Sequence, residues 1–173
     1  FRCTKSAQCI INLIKGCGEL LEGGGAMPLM TNSSPVCSSA AMDSSWTKRR
    51  NNAIRRRCEQ FACSLETLFG DDLLAVWLYG SCATKTNHAE SDVDVAIILT
   101  EAGKKRYEQN TDGIASDCDD LEFSMARELA MPVSLLIWSE ERLSREIAFC
   151  TGFASRLLEK NVVLFQKRGW MPK

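Results

Sequence analysis

Histidine is almost missing from this chain, with His88 the single copy in 173 residues. Nine cysteines are present, but no two form a C-x-x-C pair, so the usual Cys/His zinc arrangements are excluded. Charge of one sign is also lacking. The net charge is -1, so no overall field draws the protein toward an anionic membrane or nucleic acid, and direct nucleic-acid binding is not expected. Long apolar runs are absent too. None reaches the roughly 18 residues that a membrane helix needs, and the opening segment has no clean signal-peptide core. The odd number of scattered cysteines suits reduced thiols in a cytoplasmic protein, with Cys58, Cys63, Cys118 and Cys150 read as small buried hydrophobes.

What is present is ordinary globular composition, 45% apolar and 25% charged, in a length that suits one domain. Residues 1–42 differ from the rest. They carry Gly23, Gly24, Gly25, Pro28, Pro35 and a Ser-rich stretch, and are expected to form a poorly ordered leader. A native start at Met27, Met30 or Met42 is one reading of this segment; a short helix over 8–15 is another. The regular domain is expected over 43–173. Its first helix is marked by Ile54, Cys58, Phe61, Leu65 and Leu68 at helical spacing, with Ser44 or Ser45 as cap and Gly70 as stop. Lys48, Arg49, Arg50, Arg55, Arg56 and Arg57 on this helix read as a solvated basic face.

Two apolar strands follow, "LLAVWLYG" at 73–80 and "DVDVAIILT" at 92–100, separated by a polar segment. A helix is expected from about Thr111 to Ala130, then a strand over 133–138. Ser139, Glu140 and Glu141 suit the start of another helix, because a hydroxyl cap and acidic first turn match its positive end. Residues 153–160 read as helix and "NVVLFQ" as a last strand. The pattern predicts an α/β (α+β) fold with a small mixed sheet flanked by helices.

The chemistry gathers between the first two strands. Gly80 lacks a Cβ, so an anion can approach its backbone, and Ser81 adds a hydroxyl donor. Alternation along a strand puts Asp92 and Asp94 on one face, about 6.6 Å apart along the axis, with Val93 and Val95 turned to the core. Paired carboxylates repel unless a hard cation such as Mg²⁺ neutralises them. Solvated aspartates at a strand's start, and a Gly-Ser turn, are the plainer readings of the same residues.

Taken together, the residues run G-S-x-A, then seven positions, then S-D-x-D, from Gly80 to Asp94. This resembles the signature of the DNA polymerase beta-like nucleotidyltransferase superfamily, and its minimal, antitoxin-like members in particular. Gly80, Ser81, Ala83, Ser91, Asp92 and Asp94 match, while Thr84 and Lys85 stand where Arg and Gly are usual. The resemblance implies a nucleotidyltransferase fold over about 50–167. It also implies an NTP, with ATP expected, held at Gly80 and Ser81, and Mg²⁺ or Mn²⁺ held by catalytic Asp92 and Asp94. Lys85 is either a mobile phosphate-binding cation or a surface lysine. The implied reaction moves NMP, with AMP expected, onto a hydroxyl of a protein or small molecule. A third carboxylate is common in the family on the strand after the long helix. Here Ser134 stands about there, and Asp117, Asp119, Asp120 and Glu122 read as helical. The alternative is therefore a weakly active or inactive protein of the same fold that binds a partner, as an antitoxin binds a HEPN-type toxin. Trp138, Phe149, Phe153 and Trp170 are candidate contacts for that partner, or simply core.

Overall fold

The computed structural model describes residues 44–172 apart from residue 89, with side chains from residue 48 onward. The leader expected over 1–42, and the side chains of Ser44 and Ser45 read as caps, lie outside the described residues. Helix α1 (Ser44–Phe69) runs for 26 residues. Its stripe of Ile54, Cys58, Phe61 and Leu65 is buried as the spacing predicts, and Leu68 packs at the margin. The helix ends at Gly70, whose φ of +56° suits a residue without a Cβ. The basic run is not wholly solvated: the Arg57 side chain is mostly covered and donates to Glu128, while the Arg55–Glu59 pair lies exposed.

Strand β1 (Leu73–Tyr79) leads into a short helix α2 (Gly80–Thr84), and β2 (Val93–Leu99) returns antiparallel to β1. Helix α3 (Glu101–Glu108), a 3₁₀ turn at Thr111–Gly113 and α4 (Ile114–Leu129) then carry the chain to β3 (Val133–Ser139), which lies parallel to β2. Helices α5 (Glu140–Ala148) and α6 (Gly152–Glu159) precede β4 (Val162–Gln166), antiparallel to β1. The sheet order is β3-β2-β1-β4, a four-stranded mixed sheet with six helices among the described residues. The α/β expectation holds.

Helix α3 was not expected, and the reason is physical. It is nearly all polar, with Gly103 its one buried residue, so it has no apolar stripe to read. Its start is set by a tertiary knot instead. The Thr100 side chain accepts from Gly103 N–H at 3.0 Å, and its hydroxyl donates to Asp72 at 2.6 Å. Arg106 donates to the other Asp72 oxygen at 2.7 Å. The Thr100 hydroxyl first, and then Arg106, hold the Asp72 carboxyl below its ordinary range. Gly103 is needed here: an added Cβ would stand 2.6 Å from the Asp72 Cβ.

The sheet has two unlike faces. Leu73, Val76 and Leu78 of β1 and Val93, Val95, Ile97 and Leu99 of β2 pack against α1 and α4. Ala75 and Trp77 of β1, Ala96 and Ile98 of β2 and Trp138 of β3 pack under α5 and α6, through Leu143 and Leu157. Cys58 and Cys118 sit in the first layer, and burial pushes both thiols up to about 12. Cys63 and Cys150 correct the expectation of burial, since both are exposed. Cys63 lies off the apolar stripe, and Cys150 occupies a left-handed turn, φ +49°, between α5 and α6.

Candidate functional site

Two tight local structures hold the Gly80 and Asp92 ends together. At the end of β1, Gly80 takes φ +69°, and the space that a Cβ would fill is occupied by the carboxylate of Asp94, whose Cγ is 3.1 Å from that position. The missing side chain therefore makes room for Asp94 itself, a role that spacing alone does not reveal. Any other residue at 80 would be strained and would push that carboxylate away. The residue that precedes α2, Tyr79, makes no side-chain cap hydrogen bond to its first turn.

On the other side, Ser91 is buried and its hydroxyl accepts from His88 N–H at 2.9 Å, closing the loop that precedes β2. Val93 N–H donates to the Pro132 carbonyl at 2.9 Å. Asp92 lies between these two anchored residues with its own side chain exposed, and its carbonyl accepts from the Cys82 thiol at 3.3 Å. Asp94 is half-buried. Burial first, and then the charge of Asp92, push its carboxyl above the ordinary range. The two carboxylates thus share one electrostatic environment, beside Gly80.

Register places the neighbours. Asp94 is opposite Tyr79 in β1 and opposite Ser134 in β3, so the three side chains form one row across the sheet, on the face that carries α5 and α6. The Tyr79 phenol is raised by burial and by Asp94. Ser134 is exposed on its strand, opposite Asp94, about where the resemblance implied a third acid. The acidic residues Asp117, Asp119, Asp120 and Glu122 are on α4, which packs on the opposite face, so they cannot complete the row. Among the described residues no group of three or more His, Cys, Asp or Glu side chains is arranged to hold a metal.

Lys85 is exposed and takes a left-handed conformation, φ +60° and ψ +27°, as the residue after α2. A glycine fits this position without strain, whereas the lysine adopts it at a cost. The Thr84 hydroxyl turns back to the Gly80 and Ser81 carbonyls at 3.1 and 3.3 Å, and serves the turn.

A divalent ion suits the pair Asp92 and Asp94 in chemistry. The charge of Asp92 adds to burial in raising the Asp94 carboxyl, the ligand atoms are hard oxygens, and two carboxylates leave most of a six-oxygen shell to phosphate and water.

Sequence reasoning singled out Trp138 and Phe153 as partner contacts or core, but not that they join Tyr79 in an aromatic wall on the same face. The ring of Phe153, at the start of α6, meets Tyr79 edge-on at 5.9 Å and 88°, and Trp138 at 5.7 Å and 65°. Arg142 lies over Trp138 at 5.0 Å. Trp138 is buried, which answers its reading as a possible contact; Phe149 is 79% exposed and Phe153 38%.

The family model described as "Polymerase beta, Nucleotidyltransferase" matches residues 65–167. No curated protein matches the chain. Similar solved structures include a toxin-antitoxin with AMP-PNP, at 20% identity over 64% of this chain and 74% of that one, TM-score 0.38. Another is a proposed nucleotidyltransferase from Sulfolobus solfataricus, at 11% identity over 76% and 96%, TM-score 0.43. A third is a mutant of the toxin-antitoxin MntA-HpeT, at 17% identity over 64% and 74%, TM-score 0.37. No helix among the described residues is long and apolar enough to cross a membrane.

Proposed function

Because the chain belongs to the polymerase beta nucleotidyltransferase family, we propose that it transfers AMP from ATP to a hydroxyl of a protein or small-molecule acceptor. Asp92 and Asp94 hold Mg²⁺ or Mn²⁺. Gly80, Ser81 and Lys85 receive the phosphates. The observation that carries this reading is the Asp94 carboxylate seated against Gly80, which brings the acidic pair and the anion-binding turn into one place.

In this reading the acceptor hydroxyl oxygen bonds to the α-phosphorus as the bond to the β-phosphate bridge breaks, its proton passes to solvent water, and pyrophosphate leaves. The bound cation, when present, offsets the negative charge that builds on the phosphate oxygens. The chain's own residues position the reactants. Gly80 admits the Asp94 carboxylate, Ser81 offers its hydroxyl and backbone N–H to a phosphate oxygen, and Lys85 supplies a mobile cation. The rigid sheet beneath holds Asp94 in register, so little reorganisation is needed when substrate arrives. Such a protein works in the cytoplasm, where ATP is available and thiols stay reduced.

A second reading is favoured by Ser134. That residue, beside Asp94, is neither a strong base nor a strong ligand, and no third carboxylate joins the row among the described residues. In this version the protein binds nucleotide but turns it over slowly, and acts by docking to a partner such as a HEPN-type toxin. Incubation with labelled ATP, Mg²⁺ or Mn²⁺ and candidate acceptors separates the two. Label transfer by the wild type that is abolished in Asp92→Ala/Asp94→Ala supports the enzyme. No transfer to any acceptor, with partner complexes intact in both forms, supports the docking protein.

A further inference from the structure

The row Tyr79, Asp94 and Ser134 ends in an aromatic surface that the phosphate and cation chemistry does not use. Tyr79 immediately precedes Gly80, is opposite Asp94 in the sheet, and packs on the face that carries α5 and α6, so it borders the proposed phosphate-binding turn. Phe153 extends that rim. Its two ring contacts come from two different strands, Tyr79 of β1 and Trp138 of β3, with β2 between them. The ring is therefore held across the strand that carries Asp94. The side chain beneath it on β2, two positions beyond Asp94 on the same face, is Ala96, which has no exposed surface and little bulk.

Rings in a core gain by being covered, yet Phe153 keeps 38% of its surface open while fixed by two aromatic neighbours. Phe123, on α4 across the sheet, is more open at 70%, but it lies on the side away from Asp94. A flat apolar ring that is fixed, partly open and next to a triphosphate site has one obvious complement on the same ligand. Every nucleobase has a π-face, and stacking needs no hydrogen-bond readout.

We propose that Phe153, backed by Tyr79 and Trp138, is the stacking platform for the base of the bound nucleoside triphosphate, and that it favours purines by area without separating adenine from guanine. This rests on the phosphate-binding reading of Gly80 and Ser81. It goes further by naming how the base is held and which NTP class is preferred.

The test is calorimetric titration of the full chain, with Mg²⁺ present, using ATP, GTP, UTP and inorganic tripolyphosphate. Wild type is compared with Phe153→Ala, Phe153→Leu and, as a control from the other face, Phe123→Ala. Stacking predicts that Phe153→Ala weakens ATP and GTP by about 5- to 100-fold. Phe153→Leu, which keeps most of the packing volume, weakens them in the same direction. Tripolyphosphate binding stays within about 2-fold in both, since it has no base to stack. Wild type binds ATP and GTP alike, and UTP more weakly. Equal loss for ATP and tripolyphosphate in the Leu variant would overturn the proposal, because the ring would then be supporting the fold. Unchanged ATP affinity in both Phe153 variants would overturn it as well. If neither ATP nor tripolyphosphate binds the wild type, the phosphate-binding reading itself fails, and stacking falls with it.

Discussion

Along β2, Val93, Val95, Ile97 and Leu99 have no exposed surface and face α1 and α4, while the alternate positions Asp94, Ala96 and Ile98 face α5 and α6. One side is saturated apolar packing with thiols forced into the neutral form. The other runs from a half-buried carboxylate, through an alanine, to a buried isoleucine within five residues. The contrast shows how a strand supports a like-charged pair. Each fully buried aliphatic side chain on the first face contributes about 1.5–3 kcal/mol. Four of them outweigh the repulsion between Asp92 and Asp94, so the strand stays in register although its polar end gains nothing from folding.

Four substitutions test that division of labour. The largest effect belongs to the apolar face. Ile97→Ala leaves a cavity under α1 and α4 and lowers unfolding free energy by about 2–5 kcal/mol, read by urea denaturation. Nucleotide affinity of the folded fraction stays unchanged, and a large loss of affinity would mean that the two faces are coupled.

Gly80→Ala comes next. It strains a residue at φ +69° and displaces the Asp94 carboxylate, so it costs about 1–3 kcal/mol. It also removes the melting-temperature rise that the proposed Mg²⁺ and ATP site predicts for the wild type, read by thermal denaturation. Retained ligand stabilisation would show that Asp94 is not held by Gly80.

Lys85→Gly moves the other way. It relieves a left-handed lysine and raises stability by up to about 1 kcal/mol. The same change weakens ATP binding if the Lys85 ammonium meets a phosphate, which titration calorimetry reads directly.

The smallest effect follows from the raised Asp94 carboxyl. A group that binds its proton more tightly when folded favours the folded state at pH below its unfolded value, and that contribution is lost as pH rises through the raised value. At neutral pH the metal-free protein carries this cost, so Asp94→Asn melts slightly higher, by well under about 1 kcal/mol after solvent screening. The difference between variant and wild type shrinks as pH falls through the titration of Asp94. With Mg²⁺ added the order reverses, because only the wild type keeps both carboxylates. A variant that melts lower than wild type without metal would show that the Asp94 charge is stabilised by the fold.

Much of this was legible in residue order. Apolar runs bounded by Gly80, Thr100 and Pro132 identified the first three strands, and helical spacing of Ile54, Cys58, Phe61 and Leu65 identified α1. The spacing from Gly80 to Asp94 picked out two residues that the fold brings into contact. Helix α3 was hidden, because the Asp72, Thr100, Gly103 and Arg106 contacts that organise it join residues up to 34 positions apart. The exposure of Cys63 and Cys150 was hidden too, since a cysteine looks alike on a helix flank and in a core.

Local pattern alone determined which segments alternate or repeat, and so where the strands, the first helix and the Gly80–Asp94 motif lie, because side-chain direction follows backbone period. Only the tertiary structure decided that Asp94 occupies the room left by Gly80, that Ser134 and Tyr79 flank it, and that Phe153 reaches the same face. Those relations depend on strand order and register, which are set by long-range packing and are invisible in any short window of sequence.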